Sequence, residues 1–457
     1  MDKIIESIAQ LMVDLGASVV VPIIMIILGI IFGQKPGRAI RSGLIIAIGF
    51  VGIGLTVGML GDAIGPVSQA LVQRAGIRLD AVDVGWPAAA AISFSTPVGL
   101  LIIPIGIVIN IILLILGLTK TLDVDIWDFW HMAFLGAVVM FITKNFVYGL
   151  IAASIGVVFA LFLADWSAGY LKKFFHMPGI SIPHLQSAGY MMLAVPIAML
   201  LKKIPVLGRT KLNPDYIREK LGLFGEPVIM GFIIAMIIGI PAGVGFVPLM
   251  QFGVQISAAM LLIPRMVGIL MEGLTPLADS ASDFMQKRFK NREFYIGLDS
   301  AVLVGHPTTI AVGLLLVPTE IVLALIIPGN HVLPFVDLAD GVFVAALLTP
   351  LVGGDVLLTW ILSALTMGFG LYFGTVLSPA ITAAAQQAQW AFPNGVSTIT
   401  CMSDGAIGII YGIYELFNWN GIGAIIICIV ALIGLYFVKE HWPLGEKLLK
   451  VSDEDEN

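Results

Sequence analysis

The stretch ILGIIFGQKPGRAIRSGLIIAIGFVGIGLTVGMLGDAIGP at residues 27–66 decides the fold, because a second stretch matches it at a constant distance of 210 residues. That second stretch is IIGIPAGVGFVPLMQFGVQISAAMLLIPRMVGILMEGLTP at residues 237–276, and the two share 11 identities in 40 positions. The shared glycine and proline positions of the first stretch are Gly29, Gly33, Gly43, Gly58 and Pro66. Because an apolar, glycine-rich composition raises such counts, the identities alone are weak support for an internal duplication.

Charged residues beside the two stretches indicate that they cross a membrane in opposite directions. In the first stretch the loop between two apolar spans carries Lys35, Arg38 and Arg41, whereas the matching loop at 244–252 is uncharged. Beyond the terminal prolines the asymmetry reverses, since residues 287–292 hold four Lys or Arg where the first half has only two. Cytoplasmic loops collect Lys and Arg. The pattern therefore predicts the inverted repeat of many transporters, whose binding sites form at interrupted helices near the midplane.

The composition places the chain in a membrane. Hydrophobic residues make up 58% of the 457 residues and charged residues 12%, against about 25% charged residues in soluble domains. Fifty glycines fit closely packed transmembrane helices. The net charge of −6 carries no information about the substrate, because the acidic tail at 453–456 alone supplies four negative charges. Two cysteines indicate neither a disulfide framework nor a metal cluster.

We predict an all-α polytopic membrane protein with about eleven transmembrane helices and two re-entrant hairpins. Residues 1–210 would form the first repeat, with five spans and a hairpin near 181–201. Residues 211–405 would form the second repeat, with five spans and a hairpin near 378–405. The last span and a cytoplasmic tail would occupy 406–457.

Three local features underlie these boundaries. The segment at 181–201 is flanked by lysines on both sides and contains two prolines and a glycine, which favours a hairpin over a complete crossing. Residues 62–82 and 272–296 are expected to be an external and an internal loop. Residues 120–130 are amphipathic and contain three Asp and two Trp residues, a composition typical of an interfacial segment with aromatic anchors.

Ionisable residues within apolar spans are costly and are therefore candidates for function. Asp299 and His306 are seven residues apart, so on one helix they would share a face. A carboxylate with an imidazole suits hydroxyl recognition, because the first accepts hydrogen bonds and the second can donate or accept. Ser300, the next residue in the chain, is a further candidate for substrate binding. The alternative for Asp299 is a structural cap at a helix start.

Other candidates have alternatives of comparable weight. Asp83 stands at the start of an apolar run and could bind a ligand or cap a helix. For His184, the prolines of its predicted hairpin favour function over a satisfied core histidine. His131 begins a span, which favours an interfacial position. Gly52 and Gly54 could admit a ligand close to the backbone or serve helix packing. Further candidates are Gln186, Asn330 and Asp337.

The sequence indicates no catalytic residue, no metal-ligand set, no cofactor and no nucleic-acid partner. It contains no phosphate-binding loop, no HExxH and no nucleophile elbow. A chain without an ATP site cannot drive transport alone, so an ion gradient or a partner protein must supply the energy.

Seven motifs together resemble the galactitol permease family, the enzyme IIC subunits of the bacterial phosphoenolpyruvate-dependent phosphotransferase system, which belongs with the ascorbate permeases. The resemblance is collinear over roughly residues 10–440 and is carried by the following motifs: VDVGWPAA (82–89), VDIWDFWHM (124–132), ISIPHLQSAGYM (180–191), FGEPVIMGF (224–232), MEGLTPLA (271–278), FYIGLDSAVLVGH (294–306) and VLPFVDLA (332–339).

The resemblance implies a homodimer in the bacterial inner membrane, in which each protomer has a core domain and a V-shaped dimerisation domain. An elevator-like movement of the core would carry galactitol or a related polyol inward. A separate IIB subunit, itself phosphorylated by IIA, would then phosphorylate the polyol, so the chain would be a transport subunit and no enzyme on its own. By similarity with the ascorbate branch, the substrate would lie among the following residues: Gly52, Gly54, Asp83, Trp86, His131, His184 and Asp299.

The alternative function is an ion-coupled secondary transporter for a small polar solute, built on the same inverted repeat. Asp299 or Glu226 would then carry the proton. In either case Lys439 after the last span predicts a cytoplasmic C-terminus.

Overall fold

The computed structural model describes residues 17–76, 79–207, 226–288, 293–392 and 396–444, with isolated residues between 208 and 225. The acidic tail, and parts of the basic segment 287–292 and of the predicted hairpin at 378–405, lie outside the described residues. The described helices are α1 Ala17–Ile31, α2 Pro36–Ala75, α3 Gly85–Phe94, α4 Pro97–Leu116, α5 Phe129–Thr143, α6 Phe146–Lys173, α7 Leu185–Lys203, α8 Pro227–Ala242, α9 Phe246–Arg288, α10 Pro307–Ile326, α11 Gly341–Leu348, α12 Val356–Gln387, α13 Met402–Gly405, α14 Gly408–Trp419 and α15 Gly421–His441. The described strands are β1 Ala81–Asp83, β2 Thr121–Asp123, β3 Ile180–Ser181, β4 Tyr295–Gly297, β5 Val332–Leu333 and β6 Thr398–Thr400.

The predicted class of polytopic helical membrane protein is confirmed. Within the described ranges, eight helices are long and apolar enough to cross a membrane: α2, α4, α6, α7, α9, α10, α12 and α15. Shorter apolar stretches in α1, α5 and α8 accompany them. The predicted total of eleven spans stays a prediction.

Two helices are much longer than the sequence pattern indicated. α2 has 40 residues and α9 has 43, so both continue through segments that were predicted to be loops from residues 62 and 272. The expectation was wrong because Pro66 interrupts neither helical geometry nor burial. Ile64 and Val67, on either side of it, are both buried. A proline within a membrane helix is tolerated where neighbouring elements pack around it.

The long helices α2 and α9 cross at glycines. A Cβ atom at Gly49 would lie 2.7 Å from the Cα of Leu270, and one at Gly273 would lie 2.8 Å from the backbone oxygen of Ser42. The residue numbers of the contacts rise along α2, from Ser42 to Gly49, while those of their partners in α9 fall, from Gly273 to Leu270. The two helices therefore run antiparallel. Backbones this close gain dispersion contacts that a larger side chain would remove.

We expect Gly49→Ala to lower the free energy of unfolding by about 1–3 kcal/mol, because the methyl group must displace the α9 backbone. Gly58→Ala in the same helix is the matched control, since nothing lies within 4 Å of its added Cβ. Thermal unfolding in detergent measures both. Equal midpoints for the two variants would contradict the proposed close crossing.

The six described strands form two parallel three-stranded sheets, and each sheet combines strands from both halves of the chain. Sheet A has the order β5-β1-β6, and sheet B has the order β2-β4-β3. In sheet A the central strand comes from the first half of the chain and both neighbours come from the second half. Sheet B reverses this arrangement. The all-α prediction missed these strands because two or three residues are too few for a recognisable alternating pattern.

Both sheets run from the protein surface to its interior. Asp80 and His331 precede β1 and β5 with side chains 82% and 59% exposed. Glu293, which precedes β4, is 64% exposed. At the other end Asp83 and Thr400, the last residues of β1 and β6, are fully buried. The carboxyl ends of all the strands therefore point inward.

The C-terminal helix α15 is held to this framework by a buried ion pair. Nζ of Lys439 lies 3.0 Å from Oδ2 of Asp165 in α6, and both side chains are at most 3% exposed. The Asp165 carboxylate also accepts hydrogen bonds from the hydroxyl groups of Thr119 and Thr121 and from the backbone of Lys120. Thr121 begins β2, so one carboxylate connects α15, α6 and sheet B.

Candidate functional site

Each described strand either ends at a polar side chain or is followed by one within four residues, near the start of a helix or 3-10 turn. These side chains are Asp83, Asp125, His184, Asp299, Asp337 and Ser403. Ligands of parallel sheets bind outside the carboxyl ends of the strands. Free backbone N–H groups at helix starts also favour oxygen-rich or negative partners there. The residues at the carboxyl ends of the two sheets therefore form the candidate site.

His184, Asp299 and Ser300 meet at the end of sheet B. Nδ1 of His184 lies 2.9 Å from the Ser300 hydroxyl oxygen, and its Nε2 lies 3.7 Å from Oδ2 of Asp299. The other Asp299 oxygen accepts a hydrogen bond from the backbone of Ala301 at 2.7 Å. The structure thus confirms the cap predicted for Asp299, whose second oxygen faces the imidazole of His184; its role in hydroxyl recognition stays a prediction.

His131 joins this group from α5. Its ring lies 4.3 Å from that of His184, edge to face, and Nδ1 lies 2.6 Å from Oδ1 of Asp404. Nε2 of the His131 ring is buried without a hydrogen-bond partner in the described part of the chain. His131 is fully buried, so the expectation of an interfacial position was wrong.

Unsatisfied acceptors concentrate here. Among the described residues, the buried side-chain atoms without a hydrogen-bond partner include Oδ2 of Asp125, both oxygens of Asp128, Nε2 of His131 and Oδ2 of Asp404. One atom each of Asp128, His184 and Asp299 lie within 4.8 Å of one another. A buried polar atom without a partner costs free energy. Several together indicate a ligand that supplies donors.

The Asp83 carboxylate is satisfied by the backbone. Oδ1 accepts from the amides of Gly85 and Met402, and Oδ2 accepts from those of Phe335 and Asp337 at 3.2 and 2.7 Å. Four such bonds tie the ends of all three strands of sheet A together. They supply a structural role for Asp83, and its role in substrate binding stays a prediction.

Asp337 continues the same network. It accepts from the backbone amides of Trp86 and Ser403, each at 2.8 Å. The Trp86 ring packs edge to face on Trp127, beside the turn that carries Asp128. Gln186 donates to Oδ2 of Asp340 at 3.3 Å. Trp86 and Gln186 therefore contact residues next to the candidate site, Trp127 and Asp340.

For three other predicted site residues, the structure shows helix packing, open space or a helix cap. A Cβ at Gly52 would meet Sδ of Met266 in α9, whereas a Cβ at Gly54 would meet nothing within 4 Å. Asp299 precedes a 3-10 turn and His306 caps α10, so the expectation of one shared helix was wrong. The His306 ring instead packs on Phe174 with centroids 4.9 Å apart. Ligand contacts of these residues stay predictions.

Sequence reasoning missed Asp128, Asp404 and Glu320. The segment 120–130 was expected at the interface, but Asp128 is fully buried and Trp130 is 1% exposed, so that expectation was wrong. The signal that could have identified Asp128 is a second copy of its VDxxD pattern at residues 336–340. Glu320 lies buried within α10, where a carboxylate is rare.

Comparison with known proteins identifies the family of the chain. The family model EIIC-GAT, described as a phosphotransferase system sugar-specific permease component, matches residues 11–395. A putative permease IIC component of Escherichia coli K12 is 38% identical over 435 residues, which cover 94% of this chain and 98% of that protein. The galactitol-specific EIIC components of E. coli K12 and O157:H7 are 37% identical over 432 residues, covering 94% of this chain and 95% of theirs. The chain therefore belongs to the EIIC-GAT family of sugar-specific permease components of the phosphotransferase system.

Proposed function

We propose that this protein carries a neutral polyol, galactitol or a close relative, across the bacterial inner membrane as a multi-pass IIC subunit. A separate phosphorylated IIB subunit, supplied by IIA, phosphorylates the arriving polyol. The family assignment and two galactitol-specific relatives support the polyol class. The observation that carries the choice of substrate is the excess of buried acceptors around His131, His184 and Asp299.

That excess favours a neutral, hydroxyl-rich ligand. Each hydroxyl group offers one donor, and several hydroxyls can satisfy the unpartnered oxygens of Asp125, Asp128 and Asp404. An anionic sugar acid would instead bring a carboxylate, which only accepts and cannot satisfy further acceptors. The hydroxyl groups of an uncharged polyol supply the missing donors.

The reciprocal sheets support the inverted repeat with the boundaries 1–210, 211–405 and 406–457. Exchanging the two halves converts sheet A into sheet B, and α2 and α9 cross antiparallel. We place the N-terminal ends of the sheet A strands at the external side of the membrane and those of the sheet B strands at the cytoplasmic side. Lys120 and Lys172 lie near Glu293 at the start of sheet B, and cytoplasmic ends collect lysine. Glu440 lies near Lys120, which supports a cytoplasmic end for α15.

Re-entrant segments, the homodimer and the elevator movement complete the proposal. The extended segment through β3 followed by α7 occupies the place of the first hairpin. The interrupted chain at the strand ends lies inside the protein, as irregular backbone at membrane depth requires. The dimer and the movement rest on the family resemblance.

Reconstituted vesicles test the function. Purified protein in liposomes, with phosphorylated IIB on the cytoplasmic side and radiolabelled galactitol opposite, should yield labelled galactitol phosphate at the IIB side. Unphosphorylated IIB is the control and should yield none. Accumulation of free galactitol driven by a proton gradient alone would refute group translocation and favour the ion-coupled alternative.

A further inference from the structure

The residues after β2 and β5 repeat one pattern. Val124-Asp125-Ile126-Trp127-Asp128 and Val336-Asp337-Leu338-Ala339-Asp340 match at a spacing of 212 residues. Both form 3-10 turns that lead into a helix, α5 and α11. The second aspartate of each copy is buried, with Asp128 0% and Asp340 8% exposed. The two carboxylates therefore occupy comparable places in the two halves.

Asp340 is satisfied inside the protein. Its Oδ2 accepts a hydrogen bond from the Ser403 hydroxyl at 2.8 Å and another from the Gln186 amide at 3.3 Å. Ser403 comes three residues after Thr400, the last residue of β6. This half of the molecule thus provides its buried carboxylate with donors.

Asp128 lacks such donors among the described residues. Both its oxygens are buried without a hydrogen-bond partner, and although it precedes α5 its side chain makes no cap hydrogen bond. The residue in the place of Ser403 is His184, which comes three residues after Ser181 of β3. Its Nδ1 is engaged with Ser300, and its Nε2 faces Asp299. The donor that satisfies Asp340 therefore has no counterpart at Asp128.

We propose that Asp128 is a specificity-determining substrate residue that accepts a hydrogen bond from a hydroxyl of a neutral polyol, in the space it shares with His184 and Asp299. This inference rests on the proposed function. The ligand atoms of the three residues lie within 4.8 Å of one another. A hydroxyl group donates one hydrogen bond and can accept another, so with two bonds of about 2.7 Å its oxygen can bridge an acceptor and a donor up to about 5.4 Å apart. One substrate oxygen can therefore reach Asp128 and a neighbour at once.

The two unpartnered oxygens of Asp128 also give it a role in selection. A hydroxyl group can donate to them, whereas a ligand carboxylate only accepts. Asp128 would then favour galactitol over galactonate, which has the same chain length but ends in a carboxylate. Asp128→Asn keeps the side-chain volume nearly constant and replaces one acceptor with a donor.

Isothermal titration of the full chain in detergent with galactitol and galactonate tests the proposal. We expect Asp128→Asn to weaken galactitol binding about 10- to 100-fold, because the variant loses an acceptor and places a buried donor in its position. We expect the affinity ratio of galactitol to galactonate to fall at least about tenfold. Asp340→Asn is the matched control and should leave that ratio unchanged, because its neighbours are protein groups. A general loss of folded structure would lower both affinities without changing their ratio.

The possible results separate this proposal from the function it rests on. If the wild-type protein binds no polyol, the proposed function fails first. If the wild type binds galactitol and Asp128→Asn binds it equally well with an unchanged ratio, the role of Asp128 is overturned. A third titration uses Mn²⁺ alone, because two carboxylates and an imidazole are also a metal-ligand set. Binding of Mn²⁺ that requires Asp128, with galactitol binding unaffected by the variant, would likewise overturn the proposal.

Discussion

We expect Asp299→Asn to weaken galactitol binding about 100-fold while leaving the yield of folded protein unchanged. Asn can still cap the 3-10 turn through its carbonyl oxygen, as Asp299 does for the backbone of Ala301. The variant loses the charged acceptor that faces Nε2 of His184 at 3.7 Å. A hydrogen bond to a charged group is worth about 1.5–3 kcal/mol, which corresponds to about 10- to 100-fold in affinity. Equilibrium binding of radiolabelled galactitol to purified protein measures the change.

His184→Ala should have an effect of similar size, because it removes the imidazole that contacts both Ser300 and Asp299. A second Asp–His pair provides the control. Asp80 and His331 lie 3.4 Å apart at the exposed start of sheet A, and their replacement by Asn and Ala should leave binding unchanged. Wild-type affinity in Asp299→Asn would exclude Asp299 from the site, and wild-type affinity in His184→Ala would return that histidine to a structural role.

The second large effect is on stability. We expect Lys439→Met to lower the free energy of unfolding by about 3–5 kcal/mol, because it leaves the Asp165 carboxylate buried without its cation. The double variant Lys439→Met/Asp165→Asn should recover a large part of that loss. Asn removes the uncompensated charge and still offers its one oxygen to Thr119 or Thr121. Tryptophan fluorescence during thermal unfolding in detergent follows the change.

The exposed ion pair of Lys120 with Glu293, 2.9 Å apart, is the matched control. This contact holds the pKa of the Glu293 carboxyl below its ordinary value, but water and salt screen such pairs. Lys120→Met should therefore cost about 1 kcal/mol or less. If Lys439→Met were no more harmful than Lys120→Met, α15 would not be held by its ion pair.

The membrane class could be predicted from the sequence because long apolar runs and asymmetric loop charge are properties of many residues at once. The lengths of α2 and α9 could not, because whether a helix continues past Pro66 depends on what packs around it. Ile64 and Val67 are buried in the folded protein, and nothing in the local sequence reports that burial. The strands were missed for a similar reason, since their pairing joins residues as distant as Asp83 and Thr400.

The candidate site was predicted in part. His184 and Asp299 could be found because each is ionisable in an apolar context. Asp128 was assigned to an interfacial segment, because a segment rich in Asp and Trp fits an interface as well as a buried turn. Asp404, which shares a hydrogen bond with His131 from 273 residues away, has no signal in the sequence around it. Partners so far apart in the chain become visible only when the fold brings them together.

The mixed origin of the strands has a consequence for how the protein assembles. Among the described strands, β1 has no partner from its own half of the chain, and neither does β4. One half alone would therefore leave both edges of its central strand unpaired. His184 and Asp299 also come from different halves, so neither half can assemble the candidate site without the other.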